Sequence, residues 1–600
     1  MADPLTDRSK MKYWKTDLGF AGACMALLCV FKSGLLYHME QYSLFIYSHE
    51  FFYECMEQPG GLQQYLGAFL TQFCHFPWLG AALIAALLWL LAFLTRKAMR
   101  LEGTESWALS FLPSLMFLLF ITRLDYSVYL MTAYGLLFSQ ILGLVAVMAM
   151  HLAYMTWADG KKAGLPVICM TPIVFYPLFG AYAFIAALLM AVSSRKNKIV
   201  GTGVALAACA AVLLFCSYVP GVYERIHRRY LLFAGLPYLD FEDNLVALIP
   251  VGIALATPFL IMVARRLPLK PSIAVLTLVA ALVCGLSNWD RNFKAVLGME
   301  KACLEQDWER VLDIARKSEN PTRAQVIYRN IALYQKGRLT EEMFTYPDGC
   351  EPFRTGAQFP LSYVCAAPAL HYCGMSLSSD RLAMETSSTY SKNIYFYKYQ
   401  AKNALVRGEY DLARKYIGIV SQNWFQGSWV KRYKALADNP EALLTDSEFA
   451  PTLALTQVNS DRFDTVEPLE VMIFRRFSDQ DYVNEQIFEW QMACYMMWKD
   501  PSNVMYCLFQ RERLMPGSHI TEGIAEAAVL FANTSGDASM VQEVAEMLSG
   551  HQATIKRFNS FSNAMNMVKD PAAPGVRERF ISQSGRSYWF YSVFNEMVAL

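Results

Sequence analysis

Charged residues are scarce in this 600-residue sequence, and neither sign dominates. They make up 18% of the chain, with 53 lysines and arginines against 52 aspartates and glutamates. An ordinary soluble protein has about 25% charged residues. Proteins that bind nucleic acid usually carry an excess of basic residues on one face, so a net charge of +1 leads us to expect no nucleic-acid partner.

Motifs for catalysis and metal binding are also missing. None of the fourteen cysteines forms a C-x-x-C pair, which removes the usual zinc-knuckle and thioredoxin-type motifs. Residues 289–600 contain no P-loop, G-x-S-x-G, G-x-G-x-x-G or H-E-x-x-H sequence. We therefore expect no metal and no cofactor. The missing motifs favour a binding protein over an enzyme without excluding an enzyme.

Long apolar runs, in contrast, fill the first half of the chain. A helix crosses the hydrocarbon core of a membrane in about twenty apolar residues. This length predicts spans over residues 18–37, 77–95, 107–122, 127–150, 199–217, 245–264 and 271–288. The longer run 165–194 contains Pro172, Pro177 and Gly180, which predict a break and two short helices folded as a hairpin. We therefore predict a polytopic membrane domain over residues 1–288 with about nine spans.

Lysine and arginine in short loops predict the orientation, because cytoplasmic loops carry an excess of them. With the N-terminus in the cytoplasm and nine crossings, four basic loops all face the cytoplasm. These loops contain Arg96 with Lys97, Lys161 with Lys162, Arg195 with Lys196, and Arg265 with Arg266. The chain after residue 288 then lies on the outer side. A single span over 165–194 would invert the later loops, and the sequence leaves that alternative open.

A carboxylate, Glu40, stands where the first predicted span ends, at the start of a long loop over residues 38–76. The loop alternates aromatic and polar residues, and Pro59-Gly60-Gly61 interrupts it. This pattern predicts two amphipathic helices that lie in the outer membrane–water interface. Glu40 would then face the outer compartment.

A second outer loop departs from the charge rule, because it carries Arg225, Arg228 and Arg229. One interpretation is a solvated turn that attracts anionic lipid headgroups. The other is a clamp for a lipid phosphate or diphosphate, since guanidinium groups match phosphate oxygens. The sequence leaves both interpretations open.

Residues 289–600 have the composition of a soluble protein, with apolar residues at helical spacing. The stretch "ALVRGEYDLARKYI", residues 404–417, resembles the turn of a tetratricopeptide repeat (TPR), in which Gly408 permits the bend between two helices. Weaker versions occur at residues 306–308, 337–339 and 536–537. We therefore predict an all-α protein whose soluble domain, 289–600, is a TPR-like array with a concave surface for proteins or peptides.

Residues 39–81, which include "MEQYSLFIYSHEFF" and "QPGGLQQYLGAFLTQF", resemble an uncharacterised family of polytopic envelope proteins of Gram-negative bacteria, as does the helical half. This resemblance implies a multi-pass protein of the bacterial inner membrane with an external helical domain. Together with the loop charges, it predicts a cytoplasmic N-terminus and a periplasmic helical domain. It implies no activity and supplies no catalytic residues.

The layout of the first helix, Glu40 and the amphipathic loop is also similar to that of GT-C membrane glycosyltransferases. This similarity implies that Glu40 is a general base and that Arg225, Arg228 and Arg229 bind the phosphate of a polyprenyl-phosphate-linked sugar. The family usually carries an aspartate-based motif where this chain has a glutamate.

Three functional hypotheses follow. The first is a non-catalytic membrane scaffold in cell-envelope assembly, whose outer helical domain recruits envelope proteins. The second is a GT-C-like transferase that uses a polyprenyl-phosphate lipid. The third is a transporter, because the interrupted run 165–194 resembles discontinuous transporter helices. The spans carry few of the ionisable residues expected along an ion path.

Overall fold

A computed structural model describes the chain in nine stretches. They cover residues 4–130, 134–195, 198–223, 226–237, 245–349, 361–390, 392–456, 469–478 and 484–595. Helices account for 78% of the structure, and these stretches contain no strand. The prediction of an all-α fold is therefore confirmed.

Twelve α-helices precede residue 288 in the described part of the chain. They are α1 Pro4–Phe31, α2 Ser33–Gln41, α3 His49–Met56, α4 Gly61–Thr71, α5 Pro77–Ala98, α6 Leu112–Arg123, α7 Leu136–Trp157, α8 Gly164–Phe179, α9 Ala181–Ser193, α10 Lys198–Tyr218, α11 Leu245–Ala264 and α12 Leu269–Leu286. Short 3-10 helices occupy Gln72–His75, Trp107–Phe111, Tyr126–Leu130 and Arg228–Phe233.

Nine of these described helices are strongly apolar. Five of them, α1, α5, α7, α10 and α12, are long and apolar enough to cross a membrane, and α6, α8, α9 and α11 are shorter apolar helices. Two predicted spans agree closely with helices of the structure. The predicted span 77–95 corresponds to α5, Pro77–Ala98, and the predicted span 199–217 corresponds to α10, Lys198–Tyr218. Five candidate spans are therefore established by length and composition, while nine crossings remain a prediction.

Two predicted spans have different bounds in the structure. The span 18–37 is interrupted at Lys32, where α1 ends and α2 begins. The span 127–150 begins only at Leu136, because residues 126–130 form a buried 3-10 helix. Around Lys32, Leu35 and Leu36 are buried whereas Val30 and Phe31 are exposed, and the apolar side chains of residues 126–130 are all buried. An apolar run therefore does not by itself mark a helix end.

The longest apolar run forms two helices, α8 and α9, that fold back on each other. Gly180 separates them with a φ of +54°, and the Thr171 hydroxyl in α8 contacts the Met190 sulfur in α9 at 3.7 Å. The prediction that Pro172 and Pro177 help to break this run is wrong, because both lie inside α8. Neighbouring helices and local adjustments can satisfy the backbone groups that such prolines free.

The loops that follow α5, α7, α9 and α11 lie together at one end of the apolar bundle, hereafter the basic end. There the Ser106 hydroxyl donates to the Arg265 carbonyl at 2.7 Å. Asp159 accepts from the backbone N–H of Arg195 at 3.1 Å. These are the loops whose lysines and arginines predict a cytoplasmic location.

The opposite end, hereafter the junction end, gathers the ends of α1, α6, α8 and α12. The backbone N–H of Asn288 donates to the Thr122 carbonyl at 2.8 Å, and the Lys32 ammonium donates to the Asn288 carbonyl at 2.5 Å. The N–H of Gly60, before α4, donates to the Pro177 carbonyl at 3.0 Å. The apolar helices therefore alternate in direction along the chain.

Helices α4 and α7 meet at two glycines. A Cβ on Gly67 would lie 2.8 Å from the Gly135 carbonyl oxygen, and a Cβ on Gly135 would lie 2.0 Å from the Gly67 carbonyl carbon. Gly135 also has a φ of +60°, which side chains disfavour. The two glycines therefore allow the segment 38–76 to lie directly on the bundle.

We expect Gly135→Ala to destabilise the protein by about 2–4 kcal/mol, from the positive φ and the backbone overlap together. The measurement is the apparent melting temperature of the detergent-solubilised protein. Gly203→Ala in α10 is the matched control, because nothing lies within 4 Å of its added Cβ. Equal melting temperatures for the two variants would contradict the close approach.

Eighteen α-helices follow residue 288 in the described stretches. They are α13 Arg291–Leu304, α14 Trp308–Lys317, α15 Arg323–Gln335, α16 Leu339–Glu342, α17 Leu361–Tyr372, α18 Ser376–Thr389, α19 Ile394–Val406, α20 Tyr410–Val420, α21 Gly427–Asp438, α22 Phe449–Leu455, α23 Leu469–Ser478, α24 Glu485–Met497, α25 Pro501–Leu514, α26 Glu522–Ser535, α27 Ala538–Met547, α28 Gln552–Asn566, α29 Val576–Ser584 and α30 Tyr588–Phe594. Two further 3-10 helices are Pro440–Leu444 and Ser549–His551.

Helix pairs meet at the turns that the sequence indicates. Gly408, with a φ of +76°, lies between α19 and α20. The weaker motifs at 306–308, 337–339 and 536–537 lie at the α13–α14, α15–α16 and α26–α27 turns. The largest buried apolar cluster, however, extends from α1 to α30. The two halves therefore share a core, and a separate TPR-like domain remains a prediction.

A buried carboxyl makes the stability of the helical half depend on pH. Burial raises the pKa of Glu526 to about 7, although Arg557 and the N–H of Tyr588, which donates at 2.7 Å, oppose the shift. Because the folded-state pKa lies above the unfolded one, this group stabilises the fold below about pH 4.5 and loses that contribution as the pH rises through 7.

We therefore expect the melting temperature of the protein to fall between pH 5 and pH 8. Glu526→Gln should reduce this pH dependence, because an amide cannot titrate. The measurement is a series of thermal unfolding curves at constant ionic strength. An unchanged slope in Glu526→Gln would contradict the assignment.

Candidate functional site

Glu40, the predicted general base, lies in α2 at the junction end and is buried. Its side chain is 2% exposed. One carboxylate oxygen accepts from the Gln426 amide at 2.7 Å, and the other accepts from the adjacent Gln41 amide. The His75 Nδ1 atom lies 3.6 Å from the same oxygen as Gln41. Both oxygens of Glu40 therefore have protein partners, one of them from the helical half.

A buried lysine of the helical half completes this contact. The Lys398 ammonium, in α19, donates to the Gln41 side-chain oxygen at 2.8 Å. Burial lowers the pKa of Lys398 to about 8, and the negative charge of Glu40 limits that decrease. Gln41 thus connects a buried carboxylate to a buried amine across the junction.

A second buried carboxylate, Glu300 in α13, lies at the same junction. Its oxygens accept from the Tyr129 hydroxyl at 2.9 Å and lie 2.8 Å from His38 Nδ1. His38 is on α2, one helical turn before Gln41. Hereafter the junction network denotes His38, Glu40, Gln41, Tyr129, Glu300, Lys398 and Gln426.

The burial of Glu300 has a signal in the sequence of α13. Phe293, Val296, Leu297, Cys303 and Leu304 form the buried face of α13. Position 300 falls on that face by helical spacing, so a glutamate there requires a buried partner. An acidic residue at a core position of an amphipathic helix therefore predicts a buried polar contact.

Backbone contacts reinforce the junction along the segment 38–76. The N–H of Phe45 donates to Asn423 Oδ1 at 3.0 Å, and the N–H of Trp424 donates to Gln72 Oε1 at 2.9 Å. The N–H of Ile394 donates to the Ser43 carbonyl at 3.1 Å. The segment 38–76 is thus packed between the apolar bundle and the helical half, and α3 and α4 lie on either side of Pro59-Gly60-Gly61.

The predicted phosphate-binding arginines lie elsewhere at the junction end. Arg228 and Arg229 are exposed at the start of a 3-10 helix, and their guanidinium groups lie 5.6 Å from the Tyr218 ring and 4.6 Å from the Tyr230 ring. Arg225 lies outside the described residues. The two described arginines therefore have aromatic neighbours, and no phosphate-binding geometry follows from these contacts.

Helix α4 separates these arginines from Glu40. Gly235, which follows the arginine-containing 3-10 helix, packs against Gly60 at the start of α4. Glu40 contacts His75, beyond the end of α4. The 11 residues of α4 span about 16 Å. The structure therefore does not place Glu40 beside Arg228 and Arg229 as one site.

A fully buried ion pair lies inside the helical half, between α19 and the start of α22. The Lys402 ammonium lies 2.7 Å from a Glu448 carboxylate oxygen, and both side chains are fully buried. Tyr372 and Tyr433 donate their hydroxyls to Glu448 at 2.9 and 2.6 Å. Burial opposes ionisation of Glu448, but Lys402 and these hydrogen bonds lower its pKa to about 2. Glu448 is therefore ionised at neutral pH.

The described residues contain no group of three or more His, Cys, Asp or Glu side chains placed to hold a metal ion. The carboxylates at the junction are each held by amides, hydroxyls or an imidazole of the chain itself. This arrangement is suited to fixing the helical half on the bundle, because an unpaired buried carboxylate would be costly.

The sequence of residues 11–595 matches a family whose description is a family of unknown function, DUF6057. No curated protein and no solved structure matches the chain. The match covers nearly the full length, and it agrees with the expectation of an uncharacterised family, while the Gram-negative, TPR and GT-C resemblances remain predictions. The chain therefore belongs to the DUF6057 family of unknown function.

Proposed function

We propose that this protein is an integral scaffold of the bacterial inner membrane, which presents its helical half in the periplasm to recruit envelope proteins. The junction network supports the proposal most directly. Glu40, the residue that a transferase would use, is buried and is held by Gln426 of the helical half. Both oxygens of this buried carboxylate already accept hydrogen bonds from the chain. Glu40 is therefore better suited to holding the helical half on the bundle than to taking a proton from an acceptor substrate.

The alternation of the apolar helices supports the proposed orientation. The basic loops lie at one end of the bundle, and the helical half packs on the segment 38–76 at the other end. With the basic loops in the cytoplasm, the helical half projects from the periplasmic face. The helical half would then be held at the membrane surface in a fixed orientation.

Photo-crosslinking in cells tests partner recruitment. We expect a photo-reactive residue at Tyr506 or Leu514 to give specific adducts with envelope proteins, because both large side chains are more than half exposed on α25. The same probe at Lys162, an exposed residue at the basic end, is the control and should give no periplasmic adducts. A folded protein that gives no adduct from any exposed helix of this half would contradict the proposal.

A further inference from the structure

A basic groove lies at the junction end, between the apolar bundle and the first helices of the helical half. Its volume is about 720 Å³, within the range of ordinary ligand pockets. The starts of α2 and α5 form one wall, and α13 and the end of α14 form the other. The Asn292 amide donates to the Asn320 carbonyl at 2.9 Å and ties the two helices of the second wall together.

The lining of this groove is strongly cationic. Five of its side chains are basic and two are acidic. One acidic side chain, Asp290, already accepts from the N–H of Asn292 at 2.8 Å. In the described part of the chain, only Lys301 among the five has an ion-pair partner, Glu305 at 3.7 Å. The remaining four are Arg291, Lys294, Arg310 and Lys317.

Exposed aromatic side chains lie at the lining of the groove, which includes Trp289, or next to it, since Pro77 of the lining directly precedes Trp78. Trp289 and Trp78 are 51% and 59% exposed, at the ends of α12 and α5. Phe31, at the end of α1, packs edge-on against Trp289 with ring centroids 5.2 Å apart. Tryptophan at the ends of apolar helices is typical of the membrane–water interface. The groove therefore opens at the level where lipid headgroups would lie.

We propose that this groove binds the phosphate of an anionic lipid headgroup in the outer leaflet. The basic side chains would contact the phosphate oxygens, while Leu297 and Ile314 in the lining offer apolar contact to the rest of the lipid. This site is separate from Arg228 and Arg229. The inference rests on the proposed membrane anchoring, and it adds a lipid ligand to the scaffold.

Native mass spectrometry of the full-length protein released from nanodiscs tests the proposal. We expect phosphatidylglycerol to remain bound in preference to phosphatidylcholine. Each basic residue near an anionic lipid contributes about 1 kcal/mol, or roughly fivefold in affinity. The variant Arg291→Gln/Lys294→Gln/Lys317→Gln should therefore bind phosphatidylglycerol at least about tenfold more weakly.

Two further variants serve as controls. Lys415→Gln/Lys431→Gln/Lys434→Gln removes three exposed lysines of the helical half and should bind like the parent protein. Lys294→Arg/Lys317→Arg keeps the charge and should retain binding. Equal phosphatidylglycerol affinity in the parent and the groove variant would overturn the proposal.

A competition experiment with inorganic phosphate shows whether the groove binds a lipid headgroup or a free anion. Inorganic phosphate at millimolar concentration should not displace phosphatidylglycerol from the parent protein, because it lacks the apolar contacts. Displacement by phosphate would show that the groove takes a soluble anion and would overturn the lipid assignment. Failure of the parent protein to enter nanodiscs at all would instead contradict the membrane anchoring.

Discussion

Replacing Glu40 by alanine is expected to destabilise the protein by about 3 kcal/mol, because two buried amide donors lose their acceptor. These donors belong to Gln41 and Gln426. The change also removes the negative charge that favours the charged form of Lys398. Glu40→Gln should cost less, about 1 kcal/mol, since the neighbouring amides can rotate to re-form most hydrogen bonds.

The measurement combines thermal unfolding of the purified protein with adduct formation by the Tyr506 crosslinking probe in cells. Glu50→Gln is the matched control, because Glu50 is exposed on α3 in the same segment, and it should change neither quantity. The scaffold proposal predicts that the Glu40→Gln variant gives the same crosslinked partners as the parent protein when both are present in the cell at equal levels.

The transferase hypothesis predicts a different result for the same variant. A general base cannot be replaced by an amide, so Glu40→Gln would abolish function in cells without a stability cost. An unchanged melting temperature together with complete loss of function would therefore contradict the structural role of Glu40.

A double-mutant cycle that combines Glu40→Gln with Lys398→Met measures the coupling between the two side chains. It should give a coupling energy of about 0.5–3 kcal/mol across the junction.

Removal of Glu448 is expected to have the largest effect within the helical half, about 3–5 kcal/mol for Glu448→Ala. The change leaves the Lys402 ammonium buried without its counter-ion and removes the acceptor of Tyr372 and Tyr433. Three tyrosine rings surround Lys402 at 5.0–5.7 Å from the ammonium nitrogen, but they cannot replace a carboxylate in so buried a site.

The experiment compares Glu448→Ala with Glu441→Ala, a glutamate exposed on a nearby 3-10 helix, which should be neutral. The double variant Lys402→Met/Glu448→Leu should recover part of the lost stability, because an apolar pair leaves no buried charge, while the Tyr372 and Tyr433 hydroxyls stay without their acceptor. If the double variant is as unstable as Glu448→Ala, packing rather than charge holds this site together.

The pH dependence of Glu448 gives the same interaction an independent test. Its folded-state pKa, about 2, lies below the ordinary value of 4.5. The contribution of this carboxylate to stability is therefore complete above about pH 4.5 and is lost as the pH falls toward 2. This window is separate from that of Glu526, whose contribution is lost above pH 5.

The sequence predicted the helices of this fold better than their contacts. Apolar length located α5, α10 and α12 to within a few residues, because a charge or a loop bounds each run. The same criterion failed at Lys32, where the apolar run passes from α1 into the separate helix α2, and at residues 126–130, where the run begins with a buried 3-10 helix. Gly408 identified a helix–helix turn because a positive φ there favours glycine.

The environment of Glu40 could not be derived from the sequence alone. Its position after an apolar run indicates a residue at a helix mouth, but its partner Gln426 lies 386 residues away. A pairing over that distance depends on how the helical half folds onto the bundle. Lys398 lies among the aromatic residues Tyr395, Phe396 and Tyr399 of α19, which indicates burial, but the sequence does not identify Gln41 as its partner.

Site-directed thiol labelling tests the central claim, that the basic end faces the cytoplasm while the helical half lies outside. A membrane-impermeant maleimide is added to spheroplasts that carry Lys162→Cys or Lys434→Cys, two exposed positions at the basic end and in the helical half, with the parent protein as background. We expect labelling of Lys434→Cys in intact spheroplasts and of Lys162→Cys only after permeabilisation. Labelling of Lys162→Cys alone in intact spheroplasts would contradict the orientation and the scaffold proposal built on it.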